Sequence, residues 1–447
     1  METFIVKGGK PLVGRITLSG AKNVALKACV ASLLTDDEIV IDNVPLIQDV
    51  VLMMDLISCL GVKCKVSNHK AKFHFVYNNK YQVPIEIGAR LRTSSLILGP
   101  MLARFGKAVI PNPGGCRIGA RPINRHIHAL EKMGAKVDYS SQDGYFYASC
   151  KKLKGAIIEF EKNTHTGTEA VLLAAVLASG RTVIKNAANE LEVDDLICLL
   201  NNMGAQIVRS NDREITIDGV DRLHGTHHRI MSDRNEEVTF AVAAALTNGR
   251  IIVNKSQREN IKYFLEMFKK AGGIVRKISD EVTQYSSKKV IHPTDIVVEP
   301  HPGFMTDWQA PWALLMTQAE GVSTIHETVF ESRFSYVEEL RKMGAKIEFF
   351  NPKVANPKSF YNFNWRDRDE DSHQAIRIVG KTKLHNAVIK MSDLRAGATL
   401  LLAALSATGE SYIHQVDQID RGYENVDARF AKLGASIKRI SKKGGLL

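Results

Sequence analysis

The stretch Met133-Gly-Ala-Lys-Val-Asp-Tyr139 closes a helix-like segment at a glycine and then enters a strand-like run. The same reading recurs at LGVKCKV from Leu60, MGAQIVR from Met203, AGGIVRK from Ala271, MGAKIEF from Met343 and LGASIKR from Leu433. The marking glycines are Gly61, Gly134, Gly204, Gly272, Gly344 and Gly434, with successive spacings of 73, 70, 68, 72 and 90 residues. A period near 70 is too long for an ordinary solenoid and long enough for two helices and several strands. The last interval is stretched by a polar, Pro- and Asp-rich segment at 351–372, which reads as an inserted loop.

A second family of helices alternates with the first. Ala170–Ile184 (AVLLAAVLASGRTVI), Phe240–Val253 (FAVAAALTNGRIIV) and Thr399–Ile413 (TLLLAALSATGESYI) are apolar on nearly every side, so they are expected in the interior. The glycine after each reads as a left-handed helix cap. Units of this kind need neighbours to cover their helices. Six of them form either a long array or two lobes of three, and two lobes of ordinary domain size are favoured.

Lysine and arginine number 60 against 48 aspartates and glutamates, a net charge of +12. Such an excess suits polyanionic small molecules as well as nucleic acid, and no basic run or aromatic-basic signature marks a nucleic-acid module. The opening METFIVKGGK has no apolar signal core, and no stretch approaches a bilayer span, so a soluble cytoplasmic protein is expected. The six cysteines lie in the first half without a C-x-x-C pair, which argues against a zinc site or disulfide framework. Most of them are expected to be small core residues.

Cys116 is different. It lies in Pro111–Pro122 (PNPGGCRIGARP), beside Arg117 and Arg121. It is either an incidental loop cysteine or a thiol activated by positive charge. A second candidate group is Met231-Ser-Asp-Arg234, Met305-Thr-Asp-Trp308 and Met391-Ser-Asp-Leu-Arg395, each opening an apolar helix. All three are expected to cap their helices, and helix starts also favour anions. Ser19-Gly-Ala-Lys-Asn23 opens the first apolar helix in the same way, with Lys22 and Asn23 placed to hold phosphate or hydroxyl groups, or as a simple cap. The Gly-x-x-x-x-Gly-Lys phosphate loop is absent from the sequence.

Taken in order, SGAKN, LGPMLARFG, PGGCRIGARP, TFAVAAA, PHPGFMTD, ETVFESRF, SDLRAGA and IDRGYE resemble the UDP-N-acetylglucosamine enolpyruvyl transferase family, essentially end to end. The resemblance implies an α/β fold of two inside-out barrel lobes, each made of three β/α repeat units around buried helices. One lobe would span 22–229, and the other 1–21 with 230–447. The implied reaction moves the enolpyruvyl group of phosphoenolpyruvate to the 3-hydroxyl of UDP-N-acetylglucosamine, the first committed step of peptidoglycan synthesis. It needs no metal or organic cofactor, and no nucleic-acid or membrane partner is implied.

Residue by residue, the resemblance assigns Lys22 and Arg121 to the phosphate of phosphoenolpyruvate, and Arg395 and Arg421 chiefly to its carboxylate. Cys116 would protonate the enol carbon or assist phosphate departure, and would be the target of the epoxide fosfomycin. Asp307 would take the proton of the sugar hydroxyl. Asn23, Arg92 and Arg333 would position substrate and charge, His126 would touch the nucleotide, and Pro122, Ile123, Asn124, Lys162, Thr164, His165, Arg234 and Val329 would also bind substrate.

The chain departs from the family at several of these places. Thr164-His-Thr-Gly-Thr168 replaces Ser-Val-Gly-Ala-Thr in the diphosphate segment, and Asn124 replaces an Asp near the uracil. Glu236-Glu-Val-Thr239 and Asn189-Glu-Leu-Glu192 differ from Glu-Thr-Gly-Thr and Arg-Glu-Pro-Glu. The segment at 351–372 has no family counterpart. A different nucleotide or nucleotide-sugar acceptor therefore stays open, as does an inactive nucleotide-sugar-binding paralogue. Asn124 also has a plainer reading, as the cap of the helix that contains His126.

Overall fold

The computed structural model describes residues 2–115, 118–119 and 121–441. The chain divides into two compact units, one of Met1–Ser19, Arg117–Ala120 and Ser232–Leu447, the other of Gly20–Cys116 and Arg121–Met231. Each contains three small sheets around buried helices, the inside-out arrangement of six β/α repeats that the sequence predicts.

One repeat shows the plan. Arg181–Lys185, which follows a buried helix, pairs in parallel with Ile157–Glu159 and antiparallel with Glu214–Asp218, whose hairpin partner is Gln206–Asn211. Four other sheets have the same order of parallel edge, central strand and antiparallel pair. In the sheet of Lys107–Pro111 the parallel edge shrinks to a single bridge, Gln82 to Val109. The final repeat borrows the chain's first strand: Glu2–Lys7 lies between Glu410–His414 and Ser436–Ser441.

The interior helices explain why the sheets stay small. In one unit Arg234–Leu246, Gln309–Met316 and Leu394–Ser406 pack on one another. All thirteen residues of the first of these are buried. In the other unit, Leu98–Phe105 packs on His165–Ala175, and Lys22–Ala31 packs on the 3-10 turn Arg92–Ile97. Helices covered on every side are apolar along most of their length, with the buried polar residues gathered at their starts, and each fully buried Leu or Phe contributes about 1.5–3 kcal/mol. Among the described residues, no helix is long and apolar enough to cross a membrane.

The marking glycines have a common cause. Gly61, Gly134, Gly204, Gly272, Gly344 and Gly434 all adopt φ between 95° and 112°. After Asn124–Lys132, the Gly134 N–H donates to the Glu131 carbonyl at 2.9 Å and the Ala135 N–H to that of Leu130 at 3.0 Å. This pair of bonds satisfies the last helical carbonyls and requires a left-handed residue at the glycine. The repeat signal is therefore a helix stop.

Two expectations need correction, and the 351–372 loop has some structure of its own. The glycines after the interior helices are not their caps. Asn248, at φ 50°, takes the left-handed position after Arg234–Leu246, while Gly249 serves a close approach, since a Cβ there would lie 2.1 Å from the Leu12 carbonyl oxygen. Gly180 and Gly409 are left-handed but stand further beyond the helix ends, in the turns into the next strands. Among the described cysteines only Cys29 is buried; Cys59, Cys64 and Cys150 are partly exposed and Cys198 is exposed, because they lie on the outer helices and sheets rather than the interior ones. The 351–372 segment carries a helix at Pro357–Phe360 and a small aromatic core of its own. Tyr361 is buried and stacks on Trp365 at 4.7 Å between ring centroids.

Candidate active site

In the unit that begins at Gly20, Lys22 is the first residue of its helix, and its ammonium meets the Asp49 carboxylate at 2.7 Å. Asn23 follows it, half-buried. Ala21, not Ser19, stands at the cap position, and no side chain caps the helix, so the simple-cap reading of Ser19–Asn23 is set aside. Arg92 opens its 3-10 turn and donates to the Pro113 carbonyl at 3.4 Å. Burial and then the neighbouring Arg121 guanidinium bring its pKa down to about 10. Arg121 itself takes the left-handed region at φ 47°, an uncommon conformation for a residue with a Cβ. Cys116 and Arg117 lie outside the described residues.

His126 is buried on the helix Asn124–Lys132, and neither ring nitrogen has a hydrogen-bond partner among the described residues. Its pKa is pushed down to about 3, first by burial and then by Arg92, Arg125 and Arg121. It is thus a neutral ring inside an arginine-rich patch. Pro122 and Asn124 are exposed, while Ile123 is buried at the cap position. Asn124 lies one residue inside the helix and no side chain caps it, so the capping role suggested for Asn124 is absent.

Thr164 caps the helix His165–Ala175, its hydroxyl accepting from the Gly167 N–H at 3.2 Å. Lys162 is half-buried just before it. His165 Nε2 lies 3.0 Å from Glu169, a fully buried carboxylate that also meets Lys27 at 3.2 Å. Burial opposes charge on His165, but Glu169 outweighs it and raises the pKa.

The other unit holds a second cluster. Asp307 sits in the 3-10 turn Thr306–Trp308 and caps nothing. Its carboxylate accepts from Arg333 Nη2 at 2.6 Å and faces Arg395 Nη2 at 3.5 Å. Burial alone would raise its pKa, yet Arg395 and Arg333 outweigh burial and hold the carboxyl well below the usual range. The expectation that all three repeated motifs cap is therefore corrected. Asp233 and Asp393 each accept from two backbone N–H groups at a helix start, while Asp307 is spent on arginines.

Residues that motif reading passed over support this cluster. Glu327, fully buried, accepts from Thr306 Oγ1 at 2.7 Å, Gln309 Nε2 at 2.7 Å, and the N–H groups of Val329 and Phe330. Thr306 in turn accepts from Arg333 Nη1 at 2.9 Å. Glu327 lies in the ETVFESRF stretch, but nothing local distinguishes it from an exposed strand-end Glu. Arg421 is half-buried at the end of Asp417–Asp420. Arg234 is fully buried, with Nη1 on the Asn260 carbonyl at 3.3 Å and on His301 Nδ1 at 3.0 Å, so its surface is taken up by packing.

An ionised carboxylate held by two guanidiniums, and a separate set of cations around a neutral histidine, suit a reaction of anionic substrates with proton transfer. Residues 6–429 match the EPSP synthase (3-phosphoshikimate 1-carboxyvinyltransferase) family. The chain belongs to that family. Within it, the chain is 40% identical over 444 residues to the UDP-N-acetylglucosamine 1-carboxyvinyltransferase of Acidobacterium capsulatum, covering 98% of this chain and 96% of the relative. It is 39% identical to the enzyme of the same name from Idiomarina loihiensis, covering 99% and 100%. Among solved structures, the enolpyruvyl transferase NikO from Streptomyces tendae superposes with a TM-score of 0.86 at 21% identity, over 98% of both chains. EPSP synthase from Acinetobacter baumannii gives 0.72 at 17% identity, over 99% of this chain and 100% of that one. At those identities the structures speak for the family fold alone.

Proposed function

We propose that this member of the family transfers the enolpyruvyl group of phosphoenolpyruvate to the 3-hydroxyl of UDP-N-acetylglucosamine, releasing phosphate, and so serves peptidoglycan synthesis in the cytoplasm. The observation that carries the reading is full-length 40% identity to enzymes of that name, with the Asp307 cluster intact.

Phosphoenolpyruvate brings a phosphate and a carboxylate, and fixed guanidiniums are the groups best suited to orient both. Lys22 and Arg121 bind the phosphate, while Arg395 and Arg421 take the carboxylate. Asn23, Arg92 and Arg333 hold substrate and charge in register. A proton delivered to the methylene carbon from Cys116 leaves cationic character on C2. The sugar hydroxyl bonds to C2 and gives its proton to Asp307. A methyl proton then returns to the Cys116 thiolate as the C2–O bond to phosphate breaks, which regenerates the double bond and releases phosphate. Asp307 is a weak base while both arginines hold it. A substrate carboxylate that draws on Arg395 leaves Asp307 with less positive charge and a higher pKa.

The test is phosphate release from phosphoenolpyruvate with UDP-N-acetylglucosamine and a panel of other nucleotide sugars. Turnover with UDP-N-acetylglucosamine at a kcat/KM above the rest of the panel is expected. Preference for another acceptor, or no phosphate release at all, overturns the assignment. With acceptor bound, fosfomycin is expected to alkylate Cys116, read by peptide mass spectrometry; a label spread over the other cysteines with activity retained removes Cys116 from the mechanism.

A further inference from the structure

One buried residue beside the Asp307 cluster has no part in the mechanism above. Tyr423 is 1% exposed, and Arg395 Nη1 donates to its hydroxyl at 3.2 Å while the guanidinium carbon lies 5.6 Å from the ring centroid. The same hydroxyl lies 2.7 Å from Thr239 Oγ1, and Thr239 Oγ1 donates to the Asn235 carbonyl at 3.0 Å.

The polarity of this chain follows from the donor inventory. A hydroxyl has one proton, and that of Thr239 goes to the Asn235 carbonyl, so Thr239 Oγ1 accepts from Tyr423. Tyr423 then has no proton left to point at Arg395 and must accept from it, as a guanidinium, which only donates, requires. Asn235 is fixed in its turn: its Oδ1 accepts from Trp308 Nε1 at 2.9 Å and its N–H donates to Asp233 at 2.8 Å. The relay therefore starts from a capped helix end and finishes as a lone pair aimed at Arg395. Asp307 faces the other terminal nitrogen of the same guanidinium at 3.5 Å.

We propose that Tyr423 is a positioning residue for donor binding: its hydroxyl, oriented by Thr239, holds Arg395 in the plane that receives the carboxylate of phosphoenolpyruvate. This rests on the function proposed above. Holding the guanidinium from two sides removes rotamer freedom that binding otherwise has to remove, so the affinity gain falls on the donor and not on the acceptor.

The experiment compares Tyr423→Phe, Thr239→Val and Thr239→Ser in the full chain, with steady-state kinetics for both substrates and urea unfolding midpoints. In Tyr423→Phe, KM for phosphoenolpyruvate is expected to rise about tenfold or more, the usual weight of a hydrogen bond to a charged group, while KM for the acceptor stays within about twofold. Thr239→Val is expected to move the same constant in the same direction by releasing the hydroxyl orientation, and Thr239→Ser to restore it. Equal changes in both KM values, an unchanged donor KM in Tyr423→Phe, or a Ser variant no better than Val overturns the proposal. Calorimetric binding of phosphoenolpyruvate alone, with no acceptor to consume it, separates this result from the fate of the functional reading. Donor affinity weakened in Tyr423→Phe supports the positioning role even where wild-type turnover prefers another acceptor. Unweakened binding, or none in the wild type, overturns it.

Discussion

Asp233, Asp307 and Asp393 stand at the same place in three repeats and do different work. Asp233 and Asp393 receive two backbone N–H groups each, so their charge is spent on helix ends. Asp307 is preceded by Met305 and Thr306 in a 3-10 turn, and its carboxylate turns to Arg333 and Arg395 instead. Asp307 alone of the three faces two guanidiniums, the arrangement on which its proposed role as the base rests. Asp307→Asn is expected to lower kcat by about 10²–10⁴-fold with little change in acceptor affinity, measured by steady-state kinetics and equilibrium binding. Asp233→Ala is expected to cost about 1 kcal/mol of stability in urea melts, the usual worth of a cap. A drop in kcat for Asp307→Asn of less than about tenfold would return Asp307 to a structural role.

At the scale of elements, the outer helices end on left-handed glycines because the following strand must start at once. Gly134 is a clean example: at φ 95° it has nothing within 4 Å of where a Cβ would lie. Gly134→Ala therefore isolates backbone strain and is expected to cost about 1–2 kcal/mol. Gly155 is the opposite case, with φ outside the left-handed region but a Cβ position 2.2 Å from the Arg181 carbonyl oxygen. Gly155→Ala forces two backbone segments apart, and its cost in the same urea titrations is expected to exceed that of Gly134→Ala. The reverse order would mean that the helix stop, not close strand packing, is the tighter constraint.

For the molecule as a whole, the unit that begins at Gly20 has a self-contained apolar cluster running from Ala21 to Ile230. Leu172, fully buried on the interior helix His165–Ala175, lies in that cluster. Leu172→Ala is expected to cost about 2–5 kcal/mol, and amide exchange followed by mass spectrometry is expected to quicken within residues 20–231 alone. Exchange that quickens equally beyond residue 231 would show that the two cores unfold together. The insertion at 351–372 obeys the same logic on a smaller scale: Tyr361, Phe363 and Trp365 give it a core, and the Tyr361 hydroxyl lies 3.0 Å from His326 Nε2 on a neighbouring strand.

The six-fold repeat was legible because its signals are local. A glycine at a helix stop and an all-apolar helix each carry their reason within about a dozen residues, and the six stops recur at nearly constant spacing. The motif order likewise marked Asp307, Arg333 and Arg395 before any contact was known. Pattern failed where the deciding partner is distant in sequence. Asn248 rather than Gly249 ends its helix because the Leu12 carbonyl claims the space at the glycine. Glu327 and Tyr423 look like any polar residue at a strand or helix end until burial removes water and leaves Thr306 and Gln309 to hydrogen-bond the one, and Thr239 and Arg395 the other. The sequence by itself determined how often the chain turns and which faces are covered, since backbone strain and apolar burial are properties of short segments. Tertiary structure alone decided which of the three aspartates cap their helices and which one turns to arginines, because a carboxylate goes to whichever donors the fold brings nearest.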